Sequence, residues 1–291
     1  MDFLVAPLQY DFMLKAIIVS SLVGVVCALL SCFLVLKRWS LMGEAVSQSV
    51  LPGVVLAYIF GIPFSVGAFV FGLGGVLAIG YIKEKVRLHS DAVIGIVHTV
   101  LFALGLVLVS RVPSNIDLMH ILFGYVLGIS DVDAWQVGGI AVVVAGVVVL
   151  LRRSLLLYAF DPAHAGAIRM PVKFYHYLLL VLLALTVVAS VQTVGIILVV
   201  AMLIIPGAIA HLLTDRFDRM LAIATGVSVV ACVLGAYGSY HFDVSTGGAM
   251  VLVLGVVFIG VFLFGPKYGV FAKALRKKKQ SNSLKIKKPH Q

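Results

Sequence analysis

The sequence predicts an all-α fold: a polytopic membrane bundle of about nine transmembrane helices plus one short re-entrant or interfacial helix. Composition is the first observation behind this. Of 291 residues, 62% are hydrophobic and only 12% are charged, about half the charged share of an ordinary soluble domain. The second is that the apolar residues gather in nine runs, near 16–36, 42–60, 62–82, 92–110, 135–151, 175–192, 194–213, 219–240 and 246–264. Each is close to the roughly 20 residues that cross a hydrocarbon core about 30 Å thick. The third is the placement of positive charge. If the connections alternate sides, all but Lys15 and Arg111 of the 22 Lys and Arg residues fall on one side. The positive-inside rule makes that side cytoplasmic, with the N-terminus outside and the C-terminus inside.

The first run is too long for a signal-peptide core and is followed by Lys37 and Arg38 rather than a cleavage site, so it reads as a retained helix. Gly72, Gly74 and Gly75 in the third run and Gly138, Gly139 and Gly146 in the fifth predict helices that approach closely. Between the fourth and fifth runs, the apolar stretch 118–129 is too short to span. Arg111 and Arg152 lie on opposite sides and one crossing already joins them, so this stretch is expected to be re-entrant or interfacial. Cys27, Cys32 and Cys232 fall inside apolar runs and read as packing residues. Residues 1–275 form the transmembrane domain, and 276–291 read as a basic, disordered cytoplasmic tail beside anionic membrane lipid rather than a nucleic-acid site.

No phosphate-binding loop, nucleophile elbow or HExxH zinc motif is present, so an enzyme is not expected. Any ATP that drives this chain must be bound by another subunit. The most informative stretch runs from Leu36 to Val54 and contains Met42-Gly43-Glu44-Ala45, Ser47-Gln48 and Leu51-Pro52-Gly53. Glu44 and Gln48 are four apart and share one helix face, where two oxygens can line a cavity suited to a hard divalent ion. An ionisable group in a membrane helix is expensive unless it faces such a cavity. The alternative is that Glu44 lies near the cytoplasmic surface and pairs with Lys37 or Arg38. His98, inside the fourth run, is either a ligand from a second helix or hydrogen-bonded to a neighbouring helix.

The stretch from Leu36 is similar to the signature of the zinc, manganese and iron permeases of bacterial ABC importers, in which two basic residues precede Met-Gly-Asp-Ala, Ser-His and Leu-Pro-Gly. Glu44 and Gln48 stand where that family carries Asp and His, its metal-coordinating pair. The resemblance continues through Ser90-Asp91-Ala92-Val93-Ile94-Gly95, Phe102-Ala103-Leu104-Gly105, Leu122-Phe123-Gly124 and Ile129-Ser130. Asp161-Pro162-Ala163-His164-Ala165-Gly166 resembles the cytoplasmic coupling helix that docks the ATPase; Asp161 suits a helix cap and Pro162 a first turn. Val194 to Val199, followed by Ile205-Pro206-Gly207-Ala208, resembles the seventh helix, and the likeness places helix breaks at Pro52 and Pro206 beside the pathway.

The resemblance implies a permease in the bacterial inner membrane with no permanently bound cofactor, transporting manganese or iron first and zinc next. Its implied partners are an ATP-binding ATPase subunit, a second permease in a homodimer or heterodimer, and an extracytoplasmic metal-binding protein. The departures at Glu44 and Gln48 predict a sister permease carrying the Asp and His. Two alternatives remain at this stage: an importer permease for a metal chelate or vitamin, and a stand-alone ion-driven secondary transporter, although the inverted repeats common in that class are missing. Asp117, His120, Asp131 and Asp133, and likewise His211, Asp215 and Asp218, read as solvated loop residues.

Overall fold

Long apolar segments have no water to satisfy their backbone, so they must close their own hydrogen bonds as helices. The computed structural model, which describes residues 10–111, 124 and 128–265, obeys this. In chain order the helices are α1 (Asp11–Lys37), α2 (Ser40–Phe60), α3 (Phe64–Lys85), α4 (Ser90–Arg111), α5 (Asp131–Leu150), α6 (Arg152–Phe160), α7 (Pro162–Ala167), α8 (Val172–Val194), α9 (Ile196–Leu213), α10 (Phe217–Phe242) and α11 (Thr246–Phe264). Among the described residues nine of these are long and apolar enough to cross a membrane, as the nine runs predicted. Most of the 118–129 segment, with Asp117 and His120, lies outside the described residues, as does the tail 276–291.

α1 and α8 are buried along most of their length and form the centre, whereas α4, α5 and α11 are largely open on their outer faces. α1 packs on α9, α10 and α5, while α2 packs on α3, α4 and α9. Only Arg38 and Trp39 separate α1 from α2, so the start of α2 is pinned beside the end of the central helix. Buried hydroxyls tie the centre together. Ser228 Oγ donates to the Gly24 carbonyl across α1 and α10 at 2.8 Å, and Cys27 Sγ lies 3.1 Å from Ser190 Oγ of α8. Cys27, Cys32 and Cys232 are all buried and unpaired, in keeping with their reading as packing residues.

The expected close approach of glycines holds for α3 and fails for α5. A methyl group added at Gly75 would meet Ser49 Oγ at 2.6 Å, but Gly138, Gly139, Gly146 and also Gly74 have no other atoms within 4 Å. Within this chain α5 is a peripheral helix, and its glycines face outward. Asp131 and Asp133 are also placed differently from the loop expected. They form the first turn of α5, where Ser130 Oγ caps the Asp133 N–H at 3.1 Å and Asp131 pairs with Lys15 of α1.

A single residue, Gly195, separates α8 from α9. It adopts φ 86 and ψ 162, a region open essentially to glycine alone. Gly195→Ala is therefore expected to destabilise the protein by about 1–3 kcal/mol. Thermal melting of the detergent-solubilised chain measures this, and an unchanged midpoint would refute it.

Candidate functional site

α2 supplies the site. Its first two turns carry an almost continuous buried surface: Gly43, Ala45, Val46, Ser47, Ser49 and Val50 are all buried, while Glu44 and Gln48 are half-buried. The open strip on this face ends above them at Leu51 and Pro52, which are both buried. Gln48 Nε2 donates to Glu44 Oε1 at 3.3 Å, so the predicted pair does share one face. Among the described residues, Glu44 makes no ion pair with Lys37 or Arg38. Lys37 instead sits over the Tyr158 ring, 3.6 Å from its centroid. The salt-bridge alternative for Glu44 is not realised.

Pro52 leaves a backbone oxygen without its helical partner. Proline has no N–H, so the carbonyl four residues earlier loses its ladder partner. That carbonyl belongs to Gln48. The Glu44 carboxylate and the Gln48 side-chain amide lie together on one face, and the Gln48 main-chain carbonyl points on along the helix toward Pro52; all are oxygens of the kind that hard divalent ions prefer.

His98 lies on α4, which runs parallel to α2. A methyl added at Gly105 would touch Leu51, and one at Gly75 would touch both Ser49 and Leu101, a register that brings His98 level with the turn starting at Glu44. Its Nδ1 lies 3.0 Å from the Ile94 carbonyl oxygen of its own helix. A carbonyl can only accept, so Nδ1 donates this bond and Nε2 is the ring nitrogen left for another partner. The alternative bond from His98 to a neighbouring helix is not seen; its partner is in α4. Among the described residues no group of three or more His, Cys, Asp and Glu side chains converges to hold a metal. Any ion here would rely on Glu44, with oxygens of Gln48 and a ligand from another element.

The breaks expected at Pro52 and Pro206 are not seen: α2 and α9 each run on as one helix through their proline, and α9 borders the start of α2, where a methyl at Gly43 would lie 3.6 Å from Leu203. Ser31 of α1 bonds to the backbone on both sides of the proline in α9. Its Oγ donates to the Ile204 carbonyl at 3.1 Å and accepts the Gly207 N–H at 2.9 Å. Serine hydroxyls of neighbouring helices commonly satisfy the backbone beside a membrane proline. Nothing in the local sequence around Ser31 announced this role, because its partners lie more than 170 residues away.

At the end of the bundle where α1 terminates, α7 is a six-residue helix built as its sequence suggested. Asp161 Oδ1 accepts the His164 N–H at 2.9 Å, and Pro162 occupies the first turn. Pro162, Ala163, His164 and Gly166 are exposed, while Ala165 is buried against the bundle. The segment thus presents a small-residue ridge outward. His211 is exposed in the last turn of α9, and Asp218 pairs with Arg152 at 3.4 Å.

The sequence profile of the ABC 3 transport family matches residues 9–265, nearly the whole chain. The chain belongs to the ABC 3 transport family. Its similarity to the manganese transport system membrane protein MntB of Synechocystis sp. is 56% identity over 282 residues, covering 96% of this chain and 91% of that protein. To the chelated iron transport system membrane protein YfeD of Yersinia pestis it is 53% identical over 258 residues, covering 89% and 87% of the two chains. Among solved structures, PsaBC from Streptococcus pneumoniae in complex with Fab superposes with a TM-score of 0.85 at 39% identity, covering 92% of this chain and 96% of that one. Family membership bears out the family resemblance read from the sequence, and the chain is a multi-pass membrane protein of the permease fold.

Proposed function

We propose that this chain is the transmembrane permease of an ABC importer that takes up a divalent transition metal, manganese or iron first. One observation of geometry carries the substrate class: Glu44, held by Gln48 on the half-open face of α2, with the Gln48 carbonyl freed by Pro52. Of the acidic residues in the described spanning helices, Glu44 is set farthest from a helix end. An oxygen-rich site with at most one imidazole, from His98, suits manganese(II) and iron(II) better than the sulfur- and nitrogen-rich sites that favour zinc or copper. The names of MntB and YfeD agree with this choice.

The pathway runs along α2, with Pro52 in that helix and Pro206 in the neighbouring α9. The end bearing Lys37, Arg38, Lys83 and α7 faces the cytoplasm, following the positive-inside rule. There the ridge from Asp161 to Gly166 seats an ATPase subunit, so the energy of hydrolysis arrives through a partner. A metal-binding protein delivers cargo at the opposite face. A second permease completes the pathway, and the short ligand set at Glu44 and Gln48 favours a sister chain that contributes stronger ligands.

The test is uptake of radiolabelled manganese into proteoliposomes holding the complete complex, with and without the ATPase subunit. Accumulation is expected only with the ATPase subunit and ATP present. Uptake driven by an ion gradient in its absence would overturn the reading in favour of a stand-alone secondary transporter.

A further inference from the structure

The end of the bundle where α1 and α3 terminate and α4 and α8 begin encloses a cavity of about 650 Å³. Four cations line it, Lys37, Arg38, Lys83 and Lys173, against a single carboxylate among the described lining, that of Asp91. Among the described side chains, none of the four cations is ion-paired. Lys37 rests over the Tyr158 ring at 3.6 Å and beside Trp39 at 5.5 Å, and the Tyr158 hydroxyl shares a 2.8 Å hydrogen bond with His176 Nδ1. Burial pushes the Tyr158 phenol up to about 12, so it remains neutral and adds no negative charge. Like charges gathered around one cavity repel each other, and they also repel a divalent metal cation, so this space lies off the metal route. The missing component is an anion.

The walls identify which kind. Toward the bundle centre the lining is apolar, with Val76, Ile79, Ile94 and Leu180. Toward the outside it is bordered by exposed side chains: Leu77 is 47%, Tyr177 52% and Tyr81 65% exposed. Cations at the ends of spanning helices, with tyrosines at the same level, mark headgroup depth. A basic pocket between helices that opens sideways above an apolar wall matches an amphiphile with an anionic head.

We propose that this cavity binds the phosphate headgroup of an anionic phospholipid, with the acyl chains lying along the apolar sides of α3 and α8. Lys83 and Lys173 hold the phosphate from opposite helices, while the Lys37–Tyr158–His176 cluster closes its inner side. The cavity also touches Pro162, the first residue of α7, so the bound lipid braces the segment facing the ATPase. The binding site stands on the charge and shape of the cavity and is independent of the metal reading.

The complete complex is released from nanodiscs of equimolar phosphatidylglycerol and phosphatidylcholine and weighed by native mass spectrometry. The natural chain is expected to retain phosphatidylglycerol in preference by on the order of tenfold. Lys83→Gln combined with Lys173→Gln removes the preference, and Lys83→Arg with Lys173→Arg keeps it. Equal retention of the two lipids by the natural chain overturns the proposal without reliance on any variant. So does a preference that survives both glutamine substitutions. Loss of the bound lipid on adding inorganic phosphate would assign the site to free phosphate, and retention by the permease alone but not by the complete complex would assign it to protein docking; either result overturns the lipid proposal.

Discussion

Gly53→Ala is expected to prevent normal assembly of the bundle, with a loss of about 3 kcal/mol or more and an apparent Tm lower by about 10 °C. The reason is a backbone-to-backbone crossing of α2 and α3. A methyl on Gly53 would be driven into the Gly67 carbonyl, 2.7 Å from its carbon, and a methyl on Gly67 would fall 2.7 Å from Ala57 Cβ. Neither obstacle is the end of a flexible side chain that can swing away, so the helices themselves must separate. Small residues four apart, Gly53 and Ala57, give α2 the close-packing face that membrane helices use in place of a hydrophobic driving force. Gly67→Ala is expected to give the same loss from the other side. Gly80→Ala in α3, where no other atom lies within 4 Å, serves as the control with little change. A Gly53→Ala chain that melts with the natural one would show that the crossing is looser than described.

Glu44→Ala is expected to lower ATP-dependent manganese uptake at subsaturating metal by about 10–100-fold, at matched protein level and with the ATPase still associated. The substitution removes the carboxylate while leaving the buried surface of Ala45 and Val46 untouched. Glu44→Gln, which keeps an oxygen of the same reach but drops the charge, should fall between the two. The paired change Glu44→Asp and Gln48→His brings in an imidazole, and is expected to raise zinc uptake relative to manganese because nitrogen ligands favour zinc. Unchanged uptake by Glu44→Ala would make this residue a structural polar group and send the search for ligands to a partner chain.

These two effects differ in how far the sequence anticipates them. The nine spans are legible because each needs a long apolar run, and length alone separates such runs from short helices. The Glu44 and Gln48 face is legible because both residues lie on one helix, where a spacing of four fixes their relation. The same locality explains α7, whose cap and first-turn proline are adjacent in sequence. Contacts between helices are another matter. The Gly53–Gly67 crossing and the outward-facing glycines of α5 have similar local sequence, and only the choice of neighbour distinguishes them. His98 was visible as an oddity in an apolar run, but its level beside Glu44 and its hydrogen bond to Ile94 required coordinates. The cationic cavity draws residues from α1, α3, α4, α6 and α8, whose charges read singly as ordinary helix-end residues.

The Ser31 hydroxyl has a mechanical consequence for α9. With one oxygen joined to Ile204 and Gly207, the segments on either side of Pro206 are fastened to the same point on α1. Hydrogen bonds tolerate a moderate change of angle, so this fastening works as a swivel: the two halves of α9 can shift their tilt a little without surrendering the tether. Because α1 continues from Ser31 only to Lys37, any pull on the swivel reaches the basic end of the bundle within two helical turns. The two sides of Pro206 and the basic end of the bundle are thereby linked through one side chain.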